Sequence, residues 1–205
     1  MATTVIYTNS YNEIITEQQL SSLKDYNKVY KLNGVIKKIE SYYNGQFDGI
    51  EYFKEDNETL NDIFTLVGTN SLLITQIELT GNYKIVNSFS YIEGVNTHIE
   101  KHLLLNNKII CIHEQQTAGQ LYCEKYLFDS DGSEIGEEIF SFTYNVDGTL
   151  KNISGIGYPF SNDNQTLDAD EIPLFFPNLL IDNPYYANAA FLPDSADLQS
   201  ALTLC

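Results

Sequence analysis

The feature that most constrains this chain is its turn punctuation. Asn33-Gly34, Asn44-Gly45, Thr80-Gly81-Asn82, Asn106-Asn107, residues 129–132 (Asp-Ser-Asp-Gly) and Asp147-Gly148 break the sequence at short intervals. Asn-Gly and Asp-Gly favour tight hairpin turns, because a type I′ turn needs positive φ at both central residues. Between these breaks lie runs rich in Val, Ile, Tyr, Phe and Thr, over 29–32, 35–43, 47–53, 71–79, 83–92, 97–105, 108–114, 121–128, 135–144 and 149–153. Such residues fit a pleated, half-buried surface. The spacing predicts a mainly β fold, an antiparallel meander of consecutive hairpins.

Two short helices are expected beside the strands. Thr16-Glu17-Gln18-Gln19 has the form of a capping box and opens a helix over 16–25. Leu60, Ile63, Phe64 and Val67 fall at helical spacing after Asn57, a candidate N-cap, which places a second helix over 57–67. From residue 155 the character changes. Residues 155–205 contain no Lys, and all five prolines lie there. Proline cannot donate to a sheet ladder, yet Leu174-Phe175-Phe176 and Leu179-Leu180-Ile181 are strongly apolar. The chain therefore reads as one domain over 1–205. A hairpin core spans 1–154, and an irregular acidic segment, 155–205, packs on it.

Charge excludes several functions. Acidic residues number 28 and basic residues 11, for a net charge of −17, and every basic residue is Lys. A phosphate backbone would be repelled, and the planar Arg fork that grips phosphate is absent. Nucleic acid and anionic membranes are not expected partners, and no run of 18 apolar residues offers a membrane span. A basic protein is favoured through long-range steering. Solubility alone, in a chain from an AT-rich genome, accounts for the same composition. The start has no basic region ahead of an apolar core, so no secretory signal is expected. Three cysteines at unrelated spacings (Cys111, Cys123 and Cys205) suit reduced thiols in a cytoplasmic protein.

No catalytic motif emerges. His98 and His102 are four apart. On a strand that is about 13 Å, too far for one metal ion, although His113 with Glu100 or Glu114 could form a small polar cluster. Cys111 and His113 share a face of one strand, and a buried structural thiol is the expected role there. Residues 129–134 resemble the start of a calcium loop but lack its glycine at the sixth place and its glutamate at the twelfth. Glu137-Glu138, Asp163, Asp168, Asp170 and Glu171 are read as turn residues. No cofactor is expected, and no metal is expected to be needed for folding.

The hairpins repeat. Tyr30-Lys31-Leu32-Asn33-Gly34-Val35-Ile36-Lys37 aligns with Tyr144-Asn145-Val146-Asp147-Gly148-Thr149-Leu150-Lys151. A looser copy is Tyr42-Tyr43-Asn44-Gly45-Gln46-Phe47-Asp48-Gly49. This last stretch resembles the MORN-variant repeats of bacterial antitoxin-like proteins, and residues 144–150 resemble the YD repeat of Rhs-type proteins. The resemblance implies an extended antiparallel sheet and a place in toxin–antitoxin or toxin–immunity loci. The expectation is an acidic binding protein of immunity type that occludes a basic toxin. Its contacts would be Asp48, Glu51 and Tyr52 at one hairpin, with Asp168, Asp170, Glu171, Tyr185 and Tyr186 in the acidic segment. Tyr42, Tyr43 and Tyr91 are further exposed-aromatic candidates. Two other readings stand beside it: a carbohydrate- or small-ligand-binding β protein, with an enzyme using acidic residues as one form of it, and a structural repeat protein.

Overall fold

A computed structural model of the chain describes residues 2–116, 121–128, 138–155, 159–160 and 166–193. The calcium-loop-like stretch 129–134, Glu137, Asp163 and residues 194–205 with Cys205 lie outside these. The protein is mainly β. Its strands are β1 (Thr3–Asn9), β2 (Ile14–Ile15), β3 (Tyr26–Leu32), β4 (Val35–Tyr43), β5 (Gln46–Phe53), β6 (Leu72–Thr80), β7 (Tyr83–Ile92), β8 (Val95–Leu105), β9 (Lys108–Gln116), β10 (Leu121–Phe128), β11 (Glu138–Tyr144), β12 (Leu150–Gly155) and β13 (Thr166–Asp168). They form one sheet in the order β13-β12-β11-β10-β9-β8-β7-β6-β5-β4-β3-β1-β2. Contacts divide the chain into two compact units, one of residues 1–77 and 87–99, the other of residues 78–86 and 100–205.

In the first unit the turns behave as their residues require. Asn33 and Gly34 have φ of 52° and 85°, and Asn44 and Gly45 have 52° and 74°. This is the left-handed pair of a type I′ turn, cheap for Asn and Gly. Beyond each turn the register slips by one residue. Tyr30 faces Lys38 while Lys31 faces Ile36, so Lys37 is extra. Ser41 faces Gly49 while Tyr42 faces Phe47, so Asp48 is extra. The same slip recurs in the second unit, where Thr143 faces Asn152 and Tyr144 faces Leu150, leaving Lys151. In all three copies the bulged residue lies three places after the turn glycine. The sequence repeat is thus a repeat of one device, a tight turn followed by a bulge that re-aims one side chain.

The order of the meander is broken at β1, which sits between β3 and β2, and again at β5 and β6. β5 and β6 run parallel, with Ile50 facing Leu72 and Tyr52 facing Ile74. A parallel neighbour needs a crossover, and residues 54–71 supply it with α2 (Leu60–Val67). Thr59, not Asn57, caps this helix. Its hydroxyl accepts the Asp62 N–H at 3.2 Å, and the Asp62 carboxylate accepts from the Thr59 N–H at 3.2 Å and hydroxyl at 2.6 Å. These bonds hold the Asp62 carboxyl below its usual range. Ile63 joins Ile50, Tyr52, Leu72, Ile74 and Tyr91 in the core of this unit. The other expected helix is only α1 (Glu17–Leu20). Thr16 and Gln19 form the expected capping box, with Gln19 Oε1 accepting from the Thr16 N–H at 2.8 Å. Ser21 and Ser22 then donate to the Gln18 and Gln19 carbonyls, at 3.1 and 2.8 Å, and compete with further helix.

In the second unit the segment from residue 166 packs on the sheet, as its apolar runs require. It holds β13, α3 (Ile172–Phe175), α4 (Leu179–Asp182) and a 3₁₀ turn, Pro184–Ala187. Tyr186 stacks on Phe142 at 4.6 Å, and Phe176 meets Phe140 edge-on at 5.0 Å. Ile172, Leu167 and Tyr185 enter a core with Leu103, Cys111, Cys123, Phe142, Tyr144 and Ile153. Among the described residues, no helix is long and apolar enough to cross a membrane.

Candidate functional site

Strand alternation sorts the expected contact residues. Ile50 and Tyr52 point to one face of β5, into the core, and Tyr52 is only 2% exposed. Its hydroxyl donates to Glu58 at 2.6 Å. Glu58 also accepts from Lys37 and from the Glu55 N–H, each at 2.7 Å. Burial raises the Tyr52 hydroxyl pKa, and the bond to Glu58 raises it further. Burial also acts to raise Glu58, but the Glu55 N–H, Lys37 and Tyr52 outweigh it and hold the carboxyl low. Tyr52 is therefore a structural pin and not a surface aromatic. Tyr185, 8% exposed, is likewise a core residue, and Tyr91 is buried with it only in kind, in the core of the other unit. Tyr186 is partly covered on Phe142. Tyr52 and Tyr91 are buried by their place on the inward side of an alternating strand, and Tyr185 by the packing of its 3₁₀ turn on the sheet.

The acidic residues fare differently. Asp48, the bulge residue of β5, is exposed, and Glu51 is half-buried and accepts the Thr75 hydroxyl at 3.0 Å. In the second unit Asp168, Asp170 and Glu171 are all exposed. Glu171 bridges back to the Asp168 N–H at 3.1 Å. The same segment leaves Leu174 and Ile181 78% and 75% exposed, with Asp182 exposed beside Ile181. Sequence reading took those apolar runs as packing residues. The short helices bury Ile172 and turn Leu174 and Ile181 outward.

Three of the lysines are engaged within the fold. Lys37 is held by Glu55 and Glu58, and Lys38 by Glu40 at 2.7 Å. Lys125 is fully buried in the second unit. Its Nζ donates to the carbonyls of Tyr185 at 2.5 Å and Asn188 at 2.7 Å, over the Tyr185 ring at 3.5 Å.

Beside Lys125 lies a compact group that sequence reading saw only in part. β9 and β10 are antiparallel, with Cys123 facing His113 and Lys125 facing Cys111. Facing residues share a side of the sheet, as do residues two apart. Cys111, His113, Cys123 and Lys125 therefore form a quartet on one face. The two Sγ atoms and a ring nitrogen of His113 all lie within 4.8 Å of one another. Both thiols are buried and free, and His113 Nε2 is buried with no hydrogen-bond partner. A bond from Cys123 lowers the Cys111 thiol pKa against the opposing effect of burial, with His113 adding to the lowering. The Cys123 thiol is correspondingly raised. His113 thus joins the cysteines and not the expected polar cluster. His102 meets Glu100 on its own strand, and His98 belongs to the first unit.

Among the described residues lie a shallow pocket of about 200 Å³ beside Leu32, Ile36, Phe53 and Ile77 and another of about 220 Å³ beside Tyr83 and Leu104. Both fall below the roughly 300–1,000 Å³ of ordinary small-molecule sites. No protein-family model, curated protein or solved structure matches the chain.

Proposed function

We propose that the protein is an acidic binding protein that occludes a basic protein partner, in the manner of an immunity protein against a toxin. One observation carries the reading: the disposition of charge on the second unit's outer segment. Asp168, Asp170, Glu171 and Asp182 are exposed in the same segment as exposed Leu174 and Ile181, and the segment holds no Lys. Apolar centres with polar rims are the usual anatomy of protein interfaces. A negative field speeds encounter with a cationic surface. Asp48 and Glu51, in the first unit, add to that field. The hairpin resemblance to antitoxin-like repeats supports the same reading.

The test compares the unaltered chain with Asp168→Asn/Asp170→Asn/Glu171→Gln as bait. The expected result is a basic protein captured by the first and lost from the second. Its association should slow as salt rises from about 0.1 to 1 M, where the screening length shrinks from roughly 10 to 3 Å. Equal capture by both baits, or an association rate indifferent to salt, refutes the proposal.

A further inference from the structure

We propose that Cys111, Cys123 and His113 belong to a binding site for a thiophilic metal ion of the zinc and Cu(I) class. The chemistry of the donors comes first. Thiolates select soft ions and imidazole suits borderline ones, so the two together exclude Mg²⁺, Ca²⁺ and Mn²⁺, which take oxygen ligands. Strand register brings the donors together. Cys123 faces His113 across β9 and β10, and Cys111 lies two places before His113, so all three share one side of the sheet. Their two sulfurs and a ring nitrogen lie within 4.8 Å of one another. With metal–sulfur bonds of about 2.3 Å and a metal–nitrogen bond of about 2.0 Å, ligand atoms around one ion stand about 3.5–4 Å apart. Small side-chain rotations close that difference.

The setting of these groups favours an ion over the other use of paired cysteines. Cys111 and Cys123 are both buried and free. They sit diagonally, since Cys111 faces Lys125 while Cys123 faces His113. Diagonal neighbours on paired strands have Cα atoms about 7–8 Å apart, beyond the roughly 6.8 Å reach of ordinary disulfides. An ion bridges two sulfurs without joining them and fits that wider spacing. His113 Nε2 is buried with no hydrogen-bond partner among the described residues, and a nitrogen so placed is penalised until a ligand or a proton partner meets it. Phe191 packs edge-on against the His113 ring at 5.0 Å and limits its tilt. The Cys123 thiol reaches the Ala189 carbonyl at 4.0 Å, a weak bond that costs little to lose on coordination. His113 is only half-buried where the cysteines are buried, and so marks the side from which an ion enters. Binding is an exchange: the ion takes lone pairs from the sulfurs and the imidazole, and the thiol protons leave to solvent. No electron is transferred.

The experiment titrates the full, reduced chain under anaerobic conditions in two arms, with Zn²⁺ against a chromophoric zinc chelator and with Cu(I) against a chromophoric Cu(I) chelator. The expected result is one ion per chain in at least one arm, and the ion held more tightly is the one the site takes. Cys111→Ser and Cys123→Ser should each abolish that binding. His113→Gln should weaken it by more than the roughly 10–100-fold typical of losing an outer partner of a ligand. X-ray absorption on the loaded, unaltered chain should show at least two sulfurs and one imidazole nitrogen at the ion. That spectrum reads the full ligand set and decides the matter even where a serine variant does not fold. Binding in neither arm, binding retained in both serine variants, or a shell without sulfur overturns the site.

Discussion

Replacing Lys125 by Met tests the account of the second unit most directly. Methionine keeps the length and much of the volume of the lysine stem and removes the charge. Two effects oppose each other. Burying an ammonium costs several kcal/mol, and the variant is relieved of that cost. It also loses two hydrogen bonds from a charged donor, to the Tyr185 and Asn188 carbonyls at 2.5 and 2.7 Å, each contributing about 1.5–3 kcal/mol. The contact with the Tyr185 ring at 3.5 Å goes with them, worth about 2 kcal/mol where desolvated. Both carbonyls are then left without this donor. The net expectation is a destabilisation of about 2–4 kcal/mol. At roughly 2–4 °C per kcal/mol for a chain of this size, the midpoint falls by about 4–16 °C. Thermal unfolding followed by circular dichroism reads this, and limited proteolysis should show earlier cleavage within residues 166–193. A variant as stable as the original, with that segment equally protected, would refute the reasoning. It would mean that the cost of burying the cation cancels what its bonds contribute.

Tyr52→Phe should destabilise the first unit by about 1–2 kcal/mol, because it removes a 2.6 Å bond to a carboxylate; an unchanged denaturant midpoint would show the hydroxyl to be dispensable. Gly49→Ala should also destabilise, since a Cβ there would lie 2.8 Å from the Ser71 carbonyl oxygen, the acceptor of the Ile50 N–H; a thermal midpoint at or above the original refutes this. The Glu58 and Glu40 carboxyls are held below the ordinary glutamate value of 4.5 in the folded protein, so their contribution is present above about pH 4.5 and is lost as pH falls through the lowered values. Denaturant unfolding between pH 7 and 3 should show that loss reduced in Glu58→Gln, and an identical acid profile in the variant counts against it.

The hairpins were legible because their information is local. Asn33-Gly34 and Asn44-Gly45 dictate backbone conformation within two residues, and the structure places type I′ turns there. The unread parts depend on distant residues. β1 lies between β3 and β2, pairing Val5 with Tyr30 and Thr8 with Asn27, and no turn marks that pairing. The parallel β5–β6 pair depends on a crossover whose ends carry no hairpin signal. Asp48 and Tyr52 look alike in sequence, both near one turn. The bulge at Asp48 breaks the alternation before Ile50 and Tyr52 resume it on the buried side. The quartet around Cys111 was half readable, since Cys111 and His113 are two apart. Cys123 and Lys125 join them only through the register of β10 on β9.

The last segment shows why a buried lysine belongs in so acidic a chain. Past β13 the segment carries prolines, which interrupt a sheet ladder, so several of its carbonyls need other donors. α3 and α4 have four residues each, too few to hold themselves. The donors come from side chains. Lys125 serves the Tyr185 and Asn188 carbonyls, the Tyr144 hydroxyl serves Tyr186 at 2.8 Å, and the Tyr185 hydroxyl serves Phe191 at 2.9 Å. Burial raises the pKa of both hydroxyls, which keeps them protonated as donors. A carboxylate in the place of Lys125 could not serve, because it only accepts. A single neutral hydroxyl has one proton to give and could not reach two carbonyls. The inward side of the segment is thus held by a multi-donor side chain, here the Lys125 ammonium, while its outward side carries Asp168, Asp170 and Glu171 with exposed Leu174 and Ile181.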